Sequence, residues 1–465
     1  MKLLPFNFVP VDDEAVFISN TGGFSEYLSR DSFLEFVEDR SIKDETLKQV
    51  LTSKLFVSDD ENYSTAKIAL ASSTSKRLTS ELRFNPIFMI VPTLRCDHTC
   101  TYCQVSRANV GASEFDLDSS LVPKIVSTIR DLGTAPYKIE IQGGEPLLRF
   151  DIIQDIYGSA LQILGSDSFE LVIATSLSLL NEEILEWANS RHVHFSTSLD
   201  GTKEIHDKNR ILPKESSYSQ LKRGVEAIQS RLGNDKVSAV TTVTDSLLSM
   251  PDKLIEAHLD LGLKDLFVRP ISPYGFANKG QLNNYSTSEY MRFYEKLFDE
   301  LLIQWSRGNT LIEHSASIHL KRIFTPGFNS YADLKSPSGV LLNSLLFNYD
   351  GRIYGSDELR MLQRIHGDQD FSLGHVNAPD FVSSELYGQI ISSSFNSVLP
   401  GCNTCAYQPF CGADPCNEIS IQGEYIGDKT RSRFCGYHKG MFDFLVKRWF
   451  ECSDSRSMLE EWVNA

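Results

Sequence analysis

The chain has 465 residues, of which 41% are hydrophobic and 23% charged. That length suits about three domains at roughly 150 residues each, and the composition supplies a buried core and excludes wholesale disorder. Lys and Arg number 45 against 61 acidic residues, a net charge of −16, which argues against sequence-independent binding along a nucleic-acid backbone. Asp12, Asp13 and Glu14 follow a short apolar start, so the first residues do not read as an export signal. No apolar run is long enough to span a bilayer. These features predict a soluble, cytoplasmic protein with no membrane and no nucleic-acid partner.

In chain order, Ala15 to Ile18 reads as a strand and Gly22-Gly23 as a turn. Arg30 to Val37 and Asp44 to Leu55 have helical periodicity. Residues 1–80 are therefore expected to form a small α+β module, closed by a Ser/Thr-rich linker over Ala71 to Thr79. Strand-like runs then fall at Ile87–Pro92, Ile139–Gln142, Leu171–Ala174, Val193–Ser198, Val237–Val243 and Leu266–Val268, with helix-period segments between them. Short apolar strands separated by helices imply a parallel sheet with covered faces. Six such units over residues 85–325 fit an α/β fold, an open partial (β/α)6 TIM-like barrel, whose chemistry sits at the C-terminal strand ends. Residues 335–465 form a cysteine-rich C-terminal segment with an aromatic helix around Phe442–Phe450.

The nine cysteines are unevenly placed. Cys96, Cys100 and Cys103 are close neighbours; Cys402, Cys405, Cys411, Cys416 and Cys435 form a second group, and Cys452 follows alone. Disulfides suit a cytosolic chain poorly, and an odd count leaves a thiol over, so clustered thiols read as metal ligands. The first group follows the first barrel strand at CxxxCxxC spacing. Three thiolates from one loop can hold three corners of a cubane and leave the fourth iron without a protein ligand, whereas zinc sites usually close with four ligands. The spacing favours a 4Fe-4S cluster. His98 reads as an exposed loop side chain rather than a competing ligand, and Cys452 as a packed, inert thiol in the aromatic helix.

Cys96-Asp97-His98-Thr99-Cys100-Thr101-Tyr102-Cys103 resembles the signature of the radical S-adenosylmethionine (radical SAM) superfamily, with Tyr102 as the aromatic residue before the third Cys. The resemblance implies that SAM binds the open iron and that one electron cleaves it to a 5′-deoxyadenosyl radical, which takes hydrogen from a substrate. Gly143-Gly144-Glu145-Pro146, at the end of the second strand, matches the family's GGE motif, which holds the SAM amino group; glycines there let backbone approach a ligand closely. Ser198, Asp200-Gly201, His206-Asp207 and Arg210 resemble the S-x-DG…HD…R pattern of peptide- and sulfatase-modifying members. That pattern implies Ser198 near the SAM ribose and Arg210 on its carboxylate, a pairing a bidentate guanidinium suits. Asp200 reads as a cofactor contact or a turn cap. One departure is visible: Thr175-Ser176-Leu177-Ser178 replaces the usual Asn-containing string, which shifts any contact there to Ser176.

The second group resembles a truncated SPASM extension, which in full carries seven cysteines for two auxiliary clusters. Ser356 stands where a hairpin Cys is usual. Cys402, Cys405, Cys411 and Cys435 remain as ligands for one auxiliary 4Fe-4S cluster, with Cys416 orphaned; the same four thiolates also suit zinc. The resemblance to sulfatase-maturing members assigns Asp357 a catalytic, proton-accepting role, against a solvated turn residue. Leu4 to Phe8, Asn20 to Ser29 and Val91 to Arg107 together resemble the radical SAM maturases of His-Xaa-Ser systems. This implies a small peptide or protein substrate bearing His-Xaa-Ser repeats, an electron donor such as flavodoxin or ferredoxin, and a second radical SAM protein as partner. The first eighty residues then read as a peptide-recognition module that adds a strand to a sheet edge, or equally as a structural cap.

Overall fold

Strands rich in β-branched and aromatic residues, each followed by an amphipathic helix, assemble a parallel sheet. The computed structural model describes residues 1–105, 107–275, 285–365, 367–378 and 384–465. The central sheet has ten strands, numbered here in chain order: β1 Ile87–Ile90, β2 Tyr137–Ile141, β3 Phe169–Ala174, β4 Val193–Ser198, β5 Val237–Thr242, β6 Asp265–Arg269, β7 Ile312–Glu313, β8 Ser344–Phe347, β9 Arg352–Tyr354 and β10 Gly374–His375. Their spatial order is β7-β6-β5-β4-β3-β2-β1-β8-β9-β10. β1 to β8 run parallel, and β9 and β10 close one edge as antiparallel additions. The six expected strands are β1 to β6, the core of a partial TIM-like barrel. β7 is too short to show a period, and β8 lies beyond the Gly/Pro/Ser-rich stretch.

The faces of this sheet differ from the expectation that both are covered. In β3, β4 and β5 the outward residues, such as Leu171, Ile173, Phe195 and Ala239, are buried, whereas the inward Val172, Ser196, Ser198, Val240 and Thr242 are only half-buried. Helices Val122–Leu132, Phe150–Ile163, Ser217–Arg231 and Pro251–Asp260 each bury an apolar stripe. The interior is a cavity, so period-2 alternation survives in a parallel sheet.

The chain divides into two compact units: 84–315 with 340–389, which contains the whole ten-stranded sheet, and 1–83 with 316–339 and 390–465. The segment expected to be one C-terminal domain, 335–465, is thus shared between them, because β8 hydrogen-bonds in parallel to β1 and carries β9 and β10 with it. In the second unit, Asn7–Pro10, Ala15–Ser19 and Ser25–Ser29 form an antiparallel sheet. Its core gathers Val16, Ile18, Leu28, Phe33, Phe36, Leu51, Phe56 and Val57. The Ser/Thr-rich stretch is not a linker. It lies inside the helix Tyr63–Glu81, where no Gly or Pro interrupts it and Thr74 returns its hydroxyl proton to the Leu70 carbonyl at 2.8 Å. Glu81, at the end of this helix, forms a buried ion pair with Arg322 at 2.8 Å. Cys452 is also placed differently from expectation: it sits half-exposed at the junction of helices Arg433–Glu451 and Ser453–Asn464, not packed inside the aromatic helix. Among the described residues no helix is long and apolar enough to cross a membrane.

β8 is buried along its whole length. Phe347→Ala, which empties a fully buried site, is expected to cost about 3–5 kcal/mol, read as a lower denaturation midpoint.

Candidate active site

The loop after β1 carries the first cysteines and has almost no regular structure of its own. It is held by its neighbours. The Asp116 carboxylate accepts from the Thr93 hydroxyl at 2.6 Å and from Arg95 Nε and Nη2, each at 2.7 Å. The end of β2 zips onto the same loop: Gly144 N donates to Thr93 O at 2.9 Å and Glu145 N to Arg95 O at 2.7 Å. A Cβ on Gly144 would stand 2.1 Å from Arg95 O, and one on Gly143, at φ +138, would stand 2.4 Å from Thr93 O. The crossing of two backbone segments is by itself enough to demand both glycines. Thr99-Cys100 then pairs antiparallel with Arg210-Ile211, and Thr101 N donates to Asn209 O at 2.9 Å. This ladder brings the cysteine loop against the segment that ends helix Lys203–Asn209.

A chain of polar contacts runs through the site from Glu145 to Arg210. The buried Glu145 carboxylate accepts from Thr175 Oγ1 (2.6 Å), Leu147 N (3.1 Å), Ser176 N (2.9 Å) and Ser176 Oγ (2.6 Å), which fills the roughly four acceptor positions of a carboxylate. Burial raises its pKa against those bonds. Ser178 Oγ lies 2.8 Å from Ser176 Oγ and donates to Asp97 Oδ2 at 2.6 Å. His98 bonds Asp97 through Nδ1 at 2.7 Å and Ser217 Oγ through Nε2 at 2.9 Å. His206 Nε2 meets the same hydroxyl at 3.1 Å, and its Nδ1 accepts from Asp200 N at 3.3 Å. One tautomer set satisfies all of these: His98 carries its proton on Nδ1 and His206 on Nε2, with Ser217 donating to His98. Burial, with the Arg210 charge beside it, lowers the His206 pKa to about 3, so it is neutral. Tyr102 donates to Asp200 Oδ2 at 2.6 Å and accepts from Arg210 Nη1 at 2.9 Å. Asp200 is raised by burial, although Arg210 and Tyr102 pull it down.

His98 is only 1% exposed. It is a buried tether and not the exposed loop side chain expected, because the loop folds inward onto Ser217. Asp207 of the HD pair caps the next helix, accepting from Tyr218 N at 2.8 Å.

Cys96, Cys100, Tyr102, Cys103, Gly143, Gly144, Glu145, Ser176, Ser198 and Arg210 all line one cavity of about 280 Å3 at the C-terminal strand ends of the barrel. Asp200 lies behind it, as the partner of Tyr102. Asp357 does not line it; it opens the helix Asp357–Ile365, and its Oδ1 accepts from Arg360 Nε (2.9 Å) and Nη2 (2.6 Å). Ser356, in the expected Cys position, is buried and accepts from Leu359 N at 3.4 Å. The cavity also holds residues that sequence reading passed over: Glu140 on β2, Gln142 just after it, Ser196 on β4 and Arg269 on β6. The signal for Glu140 is its place at an alternate position in Lys138-Ile139-Glu140-Ile141-Gln142, where a polar side chain shares the face of another polar one.

In the other unit, Cys402, Cys405, Cys411 and Cys435 line a single small cavity with Tyr407, Lys429, Lys439 and Phe442. Cys416 is fully buried in helix Pro415–Gln422 and is not part of that wall.

Residues 90–261 match the Radical SAM superfamily. The chain carries a radical SAM domain. A Methanothermobacter thermautotrophicus protein described as uncharacterized is 25% identical over 186 residues, covering 40% of this chain and 67% of that one. Native anSMEcpe with bound AdoMet superposes with TM-score 0.66 at 16% identity, over 81% of this chain and all of that one. Streptococcus suis SuiB bound to precursor peptide SuiA superposes with TM-score 0.54 at 15% identity, over 92% and 98%. At these identities the structures establish likeness of fold. A radical SAM domain makes this chain an enzyme that works with a 4Fe-4S cluster and SAM.

The residues present fit those groups. Three thiols from one loop face a cavity that also presents a guanidinium, hydroxyls and strand-end backbone. Burial pushes the Cys100 thiol up to about 11 and raises Cys96, so cluster loading has to displace protons. The four C-terminal thiols are consistent with an auxiliary cluster, Cys402 being pushed up to about 11 by burial.

Two outcomes follow from this geometry. Ser217→Ala leaves both histidine Nε2 atoms without their shared hydroxyl and is expected to cost about 1–3 kcal/mol in denaturation. Glu140 is raised from 4.5 to about 7 by burial and by the Asp357 charge, with Arg269 opposing. Its folded form holds the proton more tightly, so its contribution to stability is complete below pH 4.5 and lost as pH rises through about 7. Melting curves across that window are expected to fall less steeply for Glu140→Gln than for the parent.

Proposed function

We propose that this enzyme is a radical SAM maturase acting on a small ribosomally made peptide or protein, of the His-Xaa-Ser type. The observation that carries the reading is the convergence of Cys96, Cys100 and Cys103 with Gly143–Glu145, Ser198 and Arg210 on one cavity at the strand ends. The reductive cleavage of SAM to a 5′-deoxyadenosyl radical, which takes hydrogen from the substrate, is the chemistry that the cluster and SAM supply when bound. In this chain Cys96, Cys100 and Cys103 are the cluster ligands. The strand-end segment Gly143–Glu145 serves the SAM amino group, and the saturation of the Glu145 carboxylate favours its backbone for that role. Ser198 serves the ribose and Arg210 the carboxylate, while Tyr102 and Asp200 hold Arg210 in place.

Cys402, Cys405, Cys411 and Cys435 hold one auxiliary 4Fe-4S cluster. Asp357, held by Arg360 and set back from the lining of the strand-end cavity, is the candidate acceptor of a proton from the substrate. A peptide substrate has support in SuiB, whose structure holds its precursor peptide, and in the overall −16 charge, which attracts a basic partner. The N-terminal module has an antiparallel sheet with an edge that suits strand addition, and a flavodoxin or ferredoxin supplies the electron. A second radical SAM protein acts on the same substrate.

Anaerobic reconstitution tests this. About eight irons per chain are expected for two cubane clusters, and dithionite with SAM is expected to release 5′-deoxyadenosine. Cys100→Ala is expected to abolish that product. About four irons with product retained would replace the auxiliary cluster by zinc; no iron and no product would make the chain a zinc-stabilised scaffold. Mass spectrometry of a co-expressed His-Xaa-Ser protein is expected to show a mass change that depends on this chain.

A further inference from the structure

The cofactor-facing residues sit at the strand ends, but the cavity continues below them. Glu140 lies three residues before Gly143 on β2, roughly 10 Å deeper along the strand. Its side chain shares the inward face with Gln142. Its register neighbours are Met89 on β1 and Val172 on β3, so neither adjacent strand offers a polar side chain to its carboxylate. Among the described residues none donates a hydrogen bond to it, and it takes no part in the polar chain that runs from Glu145 to Arg210. Arg269 faces the same cavity from β6, four strands away in the curved sheet. Its charge favours the Glu140 carboxylate, while Asp357 disfavours it.

Glu140 is half-buried, and its carboxylate faces the cavity without a hydrogen bond from the described residues, so it is open to a donor that enters the cavity. At the bottom of a reaction cavity such an acceptor gives recognition, because a donor brought by the ligand makes its bond between protein walls that lower the local dielectric. We infer that Glu140, with Arg269 across from it, forms a substrate subsite that accepts a side chain bearing a nitrogen-bound proton, an imidazole or an amine, and rejects an aliphatic one. The inference rests on the maturase reading and names the chemistry of the residue that enters the cavity. Arg269 limits the charge of the subsite, so a donor able to share a proton with Glu140 suits it. Elevation of the Glu140 pKa toward neutrality agrees with such sharing. Glu140 is a specificity residue in this arrangement, since hydrogen abstraction takes place above it, beside the cluster loop.

The test uses the full-length, cluster-loaded protein with SAM bound and three fluorescein-labelled peptides. Each has the same sequence of three repeats, with His, Lys or Leu at the first repeat position and Ser at the third. Fluorescence anisotropy is expected to show the His or the Lys peptide binding about tenfold or more tightly than the Leu peptide, and the tighter of the two identifies the natural donor. Glu140→Gln is expected to remove most of that preference, and Glu140→Asp to keep part of it, with iron content and melting temperature showing that both variants fold. A parent that binds the three peptides alike, or binds none, overturns the subsite, as does a Glu140→Gln variant with the preference intact. 5′-Deoxyadenosine release by the same parent preparation separates the two levels: if it occurs, the radical SAM reading stands while the subsite falls.

Discussion

A loop that must present three thiols to one cavity cannot be left to its own backbone preferences, because it has only a two-residue ladder of regular structure. What holds it is the buried polar chain through Glu145, Ser176, Ser178, Asp97, His98, Ser217, His206, Asp200, Tyr102 and Arg210. Its members are buried or half-buried at the cavity wall, where a satisfied hydrogen bond is strengthened and a broken one is expensive. The chain ties the cysteine loop to the ends of β2 and β3 and to the start of helix Ser217–Arg231 at once. Gly143 and Gly144 add a second constraint, since the end of β2 approaches the loop so closely that no Cβ fits. Together these contacts fix the loop that carries the three thiols.

The second determinant is the asymmetry of the sheet. Its outer face is sealed by helices and its inner face is left half-buried. Partial closure of the barrel leaves an interior too wide for side chains to fill, so small and polar residues such as Ser196, Ser198 and Thr242 can line it at little cost. A cavity built this way accommodates a cofactor at the strand ends and leaves depth beneath it, where Glu140 and Arg269 stand.

Some features were misread from sequence for identifiable physical reasons. A run of Ser and Thr usually marks a loop because hydroxyls compete for backbone bonds, but in Tyr63–Glu81 the helix is sustained by its neighbours and by its tertiary anchor at Glu81. His98 looked exposed because it lies in a polar loop next to cysteines. Its burial depends on Ser217, more than a hundred residues away. Cys452 lies just past the helix it was assigned to, and one residue decides whether a side chain faces the core or the junction.

The linear pattern was enough to define the six β/α units, the two cysteine groups and the strand-end motifs, because periodicity and ligand spacing are local properties of the chain. The resemblance to a truncated SPASM pattern also set Cys416 apart from the other four cysteines of its group. Only the tertiary structure decided which residues share a cavity, which carboxylates are saturated and which face empty space. Glu145 and Glu140 are both acids on the same strand and its turn, and the GGE string that singles out Glu145 does not tell which of the two is saturated. The difference arises from Thr175 and Ser176 in the turn that follows β3, whose hydroxyls reach one and not the other, and such long-range pairing is written in the fold rather than in any short string of residues.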